Sequence, residues 1–344
     1  QYIMHIHFIG IGGIGVSALA RYYLSKGAAV SGSDLVASEI IQALAKQGAT
    51  IVIGDHSALN VPQAATRVIY TAAIPKTNPE LKSAKSRKLE TMTYAEAVGD
   101  LTRQFRTVTI SGSHGKSTPT AMTALGMEEG YMHPTVIIGT KMREYGDSNF
   151  RKGGGPHLVL EADEWNKSFL NYSPHVAVVT NIDAEHLDTY KTVTAVEDAF
   201  GDYLSKVPAD GKIVANADDP RLASVAKKFG ERVAWYSLQS KEAAMVKPLL
   251  KVPGGHNVSN ALAALTAGRV LGVAEPDILR ALEKFRGTWR RFEMKGMYRG
   301  AHLVSDYGHH PREITATLAA AREYFPMRRL WCVFQPHQYQ RLKY

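Results

Sequence analysis

The sequence predicts an α/β fold built on parallel sheets, and three observations carry that prediction. Short β-branched runs alternate with helix-like stretches through the first hundred residues, a second such series follows from Thr107, and each series opens with a glycine-rich turn between a strand and a helix. At roughly 150 residues per domain, a chain of 344 residues is expected to hold two or three domains.

The first series places strands at His5 to Ile9, Ala29 to Ser33, Thr50 to Ile53 and Arg67 to Tyr70, which predicts a Rossmann-like domain over residues 1–100. Gly10, Gly12 and Gly15, with Gly13 among them, form G-x-G-x-x-G after the first strand. Bare glycines let backbone N–H groups approach a pyrophosphate at a helix N-terminus. Asp34 lies 19 residues after Gly15, at the end of the next strand, where a carboxylate can accept from sugar hydroxyls or a base. The fingerprint predicts a nucleotide or dinucleotide without saying which; a purely structural tight turn is the competing reading.

The second series begins with a strand at Thr107 to Ile110, followed by Gly112-Ser113-His114-Gly115-Lys116-Ser117 and a helix from near Lys116. The loop ends in the G-K-[ST] of a phosphate loop, with Lys116 placed for β/γ-phosphates and the Ser117 hydroxyl for Mg²⁺, although Ile110 stands where the general motif has its first glycine. Strands at His157 to Glu161, His175 to Thr180 and Lys212 to Ala215, and helices at Asn257 to Leu271 and Pro276 to Phe285, complete a predicted central domain over residues 101–287. Glu161, Asp163 and Glu164 fall at a strand's carboxyl end, where hard oxygen donors suit Mg²⁺; in isolation they would read as an acidic capping turn. The segment Thr180 to Asp188 closes another strand with polar groups, and its His186 is either a metal or phosphate ligand or a structural histidine. His256 and Asn257 open a helix that either presents amides to a purine edge or is simply capped there.

A third unit, residues 288–344, begins with Arg290 to Lys295 and has strands at His302 to Asp306 and Arg329 to Phe334, with a helix at Pro311 to Tyr324 between them. Arg290 and Arg291 suit phosphate or carboxylate recognition. In Asp306-Tyr307-Gly308-His309-His310-Pro311, adjacent histidines rarely aim at one ion, so substrate contact is the preferred reading. Cys332, flanked by Trp331 and Val333, is expected to pack in a buried strand. Gln335 to Tyr344 follow without completing a unit, which predicts a chain that stops inside a domain.

Composition narrows the class. Apolar residues at 45% and charged residues at 21% exclude a disordered or fibrous chain, and one cysteine excludes a disulfide framework. No apolar run is long enough to span a bilayer and no signal peptide is visible, so a cytoplasmic protein without a membrane partner is expected. The formal charge of +9 is scattered, Lys82 to Lys88 reading as a solvated helix face; anionic small molecules account for it as well as nucleic acid would, and no nucleic-acid partner is expected.

Taken together, Gly112 to Ser117, Glu161 to Glu164, Asn181 to His186, His256 to Asn260, Arg290 to Phe292 and Asp306 to Pro311 resemble the Mur ligases in order and spacing, over about Met4 to Tyr344. The resemblance implies a three-domain Mur ligase architecture: a Rossmann-like N-terminal domain, a central P-loop ATPase-type α/β domain, and an incomplete Rossmann-like C-terminal domain. It implies an ATP-dependent amide ligase that joins L-alanine to the lactyl carboxylate of UDP-N-acetylmuramate through an acyl phosphate, in cytoplasmic peptidoglycan precursor synthesis, as a monomer or weak homodimer. By the same resemblance, Lys116 would hold the β/γ-phosphates, Ser117 and Glu161 one Mg²⁺, and His186 a second. Gly112, Ser113, His114 and Gly115 would complete the ATP loop, His256 and Asn257 would meet adenine, Arg291 the phosphates, and Asp306 the ribose. Tyr307, His309 and Arg341 would face the amino-acid substrate, and Gly10, Gly12, Gly13, Gly15 and Asp34 the UDP part. Ser113 and Ser117 replace commoner threonines and keep both hydroxyls, whereas Gln338 leaves only Arg341 of two expected arginines. Two other activities compete: a family member that recycles murein peptides, and an NAD-dependent oxidoreductase, which leaves Lys116, Glu161 and His186 unexplained. A nucleotide-binding fragment without turnover is the non-enzyme reading.

Overall fold

The computed structural model describes residues 4–336, the side chains of Leu187 and Asp188 excepted. Its first unit contains β1 (His5–Ile9), α1 (Ile14–Ser25), β2 (Ala29–Asp34), α2 (Glu39–Lys46), β3 (Thr50–Ile53), β4 (Arg67–Tyr70), α3 (Pro79–Ser86), β5 (Glu90–Thr93) and α4 (Tyr94–Thr102). All five strands are parallel, in the order β3-β2-β1-β4-β5, so the chain reverses direction across the sheet between β1 and β4. In open α/β sheets ligands bind in the crevice at that point. The glycine turn after β1 opens there.

The second unit contains β6 (Arg106–Ser111), α5 (Ser117–Glu129), β7 (Thr135–Met142), β8 (Ser148–Arg151), β9 (His157–Glu161), β10 (Val176–Val179), α6 (Leu187–Tyr190), α7 (Val193–Ser205), β11 (Lys212–Asn216), α8 (Pro220–Ala226), β12 (Val233–Tyr236), α9 (Lys241–Val246), α10 (Gly255–Val270) and α11 (Glu275–Lys284). Its sheet runs β12-β11-β10-β6-β9-β7-β8, parallel except at the β7–β8 edge. The central strand β6 alternates Val108 and Ile110 toward α5 and α10 with Thr107, Thr109 and Ser111 toward the other face, where Thr109 bonds the Tyr203 hydroxyl. Helix α5 is buried on nearly every side between the sheet and α10 and α11, which explains its lack of a polar stripe. Pro119 sits in its first turn, where no intrahelical N–H is lost.

The two units are packed together. Buried Asn149 on β8 donates to the Ile14 carbonyl (2.5 Å) and to Ser17 Oγ (2.8 Å), and Lys152 Nζ to the Ser25 carbonyl (2.9 Å), which fixes α1 against the edge of the second sheet. The third unit has an antiparallel hairpin, β13 (Glu293–Tyr298) and β14 (Ala301–Ser305), followed by α12 (Pro311–Tyr324).

Two expectations for this last unit are corrected. Arg329 to Phe334 forms no strand, and Cys332 is exposed, as are Trp331 at 79% and Val333 at 98%. An apolar run becomes a strand only where a neighbour accepts its ladder bonds and covers its face, and among the described residues the third sheet is the β13–β14 hairpin alone. Strands β5, β7, β8, β12 and β13 were not anticipated; β8 and β5 carry too few apolar residues to show a period of two.

Candidate active site

The phosphate loop lies between β6 and α5, flanked by the carboxyl ends of β9 and β10. Gly112 has φ +138°, and a Cβ there would stand 2.1 Å from Thr180 Oγ1; Gly115 has φ +73°. Both conformations favour glycine. The loop is tied to the end of β10: His114 N–H donates to Asn181 Oδ1 (2.9 Å), Asp183 N–H to Ser113 Oγ (2.8 Å), and Thr180 Oγ1 to the His114 carbonyl (2.9 Å).

Lys116 is directed by two acceptors, the Gly112 carbonyl and Glu164 Oε2, each at 2.9 Å. Glu164 is fully buried, and its other oxygen, Oε1, lies 3.4 Å from His186 Nε2. Burial pushes the Glu164 carboxyl up, but the Lys116 ammonium and the His186 imidazole outweigh it and hold it at about 2. Burial likewise lowers His186, and the Glu164 hydrogen bond and charge reverse the sign. His186 has φ +54°, a left-handed backbone that turns its ring inward from the loop after β10. Glu161 accepts from Gly139 N–H (2.8 Å) and from the Ser117 hydroxyl. Burial raises its carboxyl, leaving a site that a bound cation would relieve. The Ser117 and Glu161 oxygens are hard donors of the kind Mg²⁺ takes, and Asp163, Glu164 and His186 offer three further ligand atoms within 4.8 Å of one another.

Two cavities meet over this loop and share Gly115, Ser117, Arg291 and Glu313. One, of about 440 Å³, gathers Lys116, Ser117, Glu161 and His186 from the second unit, Ile14 from the first, and Arg291, Tyr307 and His309 from the C-terminal unit. The other, of about 340 Å³, is lined by His114, His256, Asn257, Phe285, Asp306 and Arg312. Asn257 Nδ2 donates to the Pro253 carbonyl (2.7 Å), so this side chain fixes the entry to α10. Asp306 accepts from Phe292 N–H (2.8 Å) and Gly308 N–H (2.7 Å), closing the turn that presents Tyr307 and His309. Gly10, Gly12, Gly13, Gly15 and Asp34 line neither cavity; Asp34 Oδ2 accepts from Gly12 N–H (2.8 Å), and a Cβ at Gly15 would meet the Tyr94 hydroxyl at 2.8 Å. Arg341 lies outside the described residues.

Several working residues escaped the sequence reading. Glu313 faces both cavities, 3.6 Å from Arg291 and 3.9 Å from His114, and receives the His309 N–H (3.1 Å). Gly139 orients Glu161 from a strand the pattern did not reveal. Asp183 bonds His114 Nε2 (3.1 Å) and pairs with Arg312 (3.1 Å). A Glu three residues after the His310 cap was the one available signal for Glu313.

Three family profiles match the chain in succession: "Mur ligase family, catalytic domain" over residues 5–106, "Mur ligase middle domain" over 110–251, and "Mur ligase, glutamate ligase domain" over 290–343. The chain belongs to the Mur ligase family. Among Mur ligases, the UDP-N-acetylmuramate--L-alanine ligase of Aquifex aeolicus is 40% identical over all of this chain and 80% of its own length, and that of Acetivibrio thermocellus is 40% identical over 99% and 77%. The crystal structure of the Thermotoga maritima UDP-N-acetylmuramate-alanine ligase superposes with a TM-score of 0.82 at 30% identity, covering 94% of this chain and 78% of that one. A murein peptide ligase from Psychrobacter arcticus, 23% identical with a TM-score of 0.78 over 97% and 79%, shares the fold. The three-unit Mur ligase architecture is thus established for this α/β chain, and among the described residues no helix is long and apolar enough to cross a membrane.

Proposed function

We propose that this chain is an ATP-dependent amide ligase that joins L-alanine to the lactyl carboxylate of UDP-N-acetylmuramate, releasing ADP and phosphate. The observation that carries the proposal is the 440 Å³ cavity, in which the phosphate-loop lysine, the Ser117, Glu161 and Asp163 oxygens, the His186 imidazole, the first turn of α1 and the Tyr307–His309 wall meet. The identity to alanine ligases over the whole chain supports the choice of amine. We divide the work among residues 1–100 for the UDP-sugar, 101–287 for ATP and 288–344 for the amino acid.

The substrate carboxylate attacks the γ-phosphorus and ADP leaves; the amine then attacks the acyl phosphate, and phosphate departs as the amide forms. No covalent enzyme nucleophile is needed, so positioning and charge supply the catalysis. Gly112 to Ser117 cradle the triphosphate with backbone N–H groups, and Lys116 and Arg291 neutralise it. His256, Asn257 and Asp306 line the nucleoside end. Ser117 and Glu161 would hold one Mg²⁺, and His186 with Asp163 or Glu164 a second. Bound there, the ions supply charge neutralisation for the transferring phosphoryl group. Tyr307 and His309 face the amine, and His309 Nδ1 against the Tyr307 carbonyl (2.9 Å) holds its ring in place. The glycines at 10, 12, 13 and 15 and Asp34 take the UDP part.

Phosphate release measured with ATP, Mg²⁺ and UDP-N-acetylmuramate tests the proposal. Turnover is expected with L-alanine and not with L-alanyl-γ-D-glutamyl-meso-diaminopimelate; turnover with the tripeptide alone would overturn it.

A further inference from the structure

Away from the candidate active site, the first unit holds a buried carboxylate of its own. Glu80, in the first turn of α3, is fully buried and accepts four hydrogen bonds. Its Oε1 accepts from His56 Nδ1 (2.8 Å) and Asn60 Nδ2 (2.9 Å), and its Oε2 from His7 Nε2 (2.9 Å) and Ser33 Oγ (2.7 Å). Burial raises this carboxyl, but the four donors outweigh burial and bring it to about 2. The contacts continue along the strands: His7 Nδ1 lies 2.9 Å from Ser31 Oγ, and Ser31 Oγ lies 3.0 Å from His5 Nε2.

An ionised carboxylate in a core is seldom the most stabilising choice, because apolar residues of the same volume often do as well. What this one does is join strand ends. Ser33 lies at the carboxyl end of β2, His56 and Asn60 follow β3, and His7 is on β1. Ser33 is also the strut of the glycine turn: its carbonyl accepts from Gly10 N–H (2.9 Å) and Ile11 N–H (3.1 Å). The next residue, Asp34, accepts from Gly12 N–H at its carboxylate (2.8 Å) and from Gly54 N–H at its carbonyl (3.0 Å). Displacing Ser33 therefore displaces the turn and Asp34 together.

We propose that Glu80 is a positioning residue for the sugar-nucleotide crevice, holding the ends of β2 and β3 so that the glycine turn sets the uncapped first turn of α1 and the Asp34 carboxylate at fixed spacing for a uridine diphosphate. This rests on the assignment of the first unit to the UDP-sugar. Glu80 itself, being buried, touches no substrate.

The test is steady-state kinetics and calorimetry on the full chain for Glu80→Gln and Ser33→Ala, with thermal melting recorded for each. Glu80→Gln replaces one acceptor oxygen by a donor; Ser33→Ala leaves Glu80 in place and cuts its link to the glycine turn, together with the 3.3 Å contact of Ser33 Oγ to His56 Nδ1, so it answers even where the first variant does not fold. The KM for UDP-N-acetylmuramate is expected to rise about tenfold in either variant that folds, with kcat and the KM for ATP within about twofold of wild type. A lowered melting temperature with an unchanged KM for UDP-N-acetylmuramate would overturn the proposal, as would KM values for both nucleotides rising together. Wild-type calorimetry is read first. If wild type takes up NADH and not UDP-N-acetylmuramate, the assignment of the first unit fails, an outcome separate from any effect of the variants.

Discussion

Glu164 holds Lys116 and His186 at once, one on each oxygen, so the phosphate-loop lysine and the histidine after β10 share a single buried carboxylate. Lys116→Ala is expected to lower kcat by at least about 10²- to 10³-fold while leaving calorimetric binding of UDP-N-acetylmuramate within about twofold, because the glycine turn belongs to a different sheet. Equal loss of both would contradict the assignment. His186→Ala is expected to raise the Mg²⁺ concentration for half-maximal rate as well as to lower turnover; a Mg²⁺ titration that superposes on wild type would remove His186 from the metal site. At this scale the sequence was informative wherever a residue type sat at a strand end beside a glycine turn, which brought Lys116, Ser117, Glu161 and His186 into view. It was uninformative about Glu313, and it brought Glu164 into view only as a strand-end oxygen donor, not as the partner of Lys116 and His186, because those pairings depend on which cation each carboxylate meets across the fold and not on local spacing.

At the scale of elements, α4 lies so close to the segment after β9 that a Cβ at Gly99 would stand 2.5 Å from the Asn171 carbonyl oxygen. Because that neighbour is backbone, Gly99→Ala is expected to cost about 1–3 kcal/mol of unfolding free energy, measured by urea denaturation. The Glu80 cluster adds a pH term. Its carboxyl titrates at about 2 in the folded chain against an ordinary 4.5, so its stabilisation is complete above about pH 4.5 and is lost as pH falls toward 2. Wild type is therefore expected to lose stability across that window more steeply than Glu80→Gln; identical slopes would contradict the depressed titration. Strand bounds at β1, β3 and β4 and the helix at α12 were legible to the residue, because their apolar runs or caps are local. Arg329 to Phe334 misled for the opposite reason: a β-rich hexapeptide lacks a ladder partner among the described residues, and propensity without pairing makes no strand.

Across the whole molecule, the C-terminal unit rests on the phosphate loop. His310 lies over His114 with ring centroids 4.4 Å apart, and Arg312 reaches Asp183 at 3.1 Å. None of these contacts could be read from spacing, since they join residues more than a hundred positions apart. Arg312 is largely exposed, so Arg312→Ala is expected to raise the KM for ATP only about two- to fivefold, and an unchanged KM would mean that this pair does not help to seat the nucleotide. The central claim is that these surfaces bring a carboxylate and a γ-phosphate together to make an acyl phosphate. It is tested most directly with UDP-N-acetylmuramate carrying ¹⁸O in its lactyl carboxylate, turned over with ATP and L-alanine, and mass analysis of the phosphate released. The account predicts one ¹⁸O in each phosphate formed, because the attacking carboxylate oxygen leaves with phosphorus when the amide closes. Phosphate free of the label, alongside amide product, would contradict it.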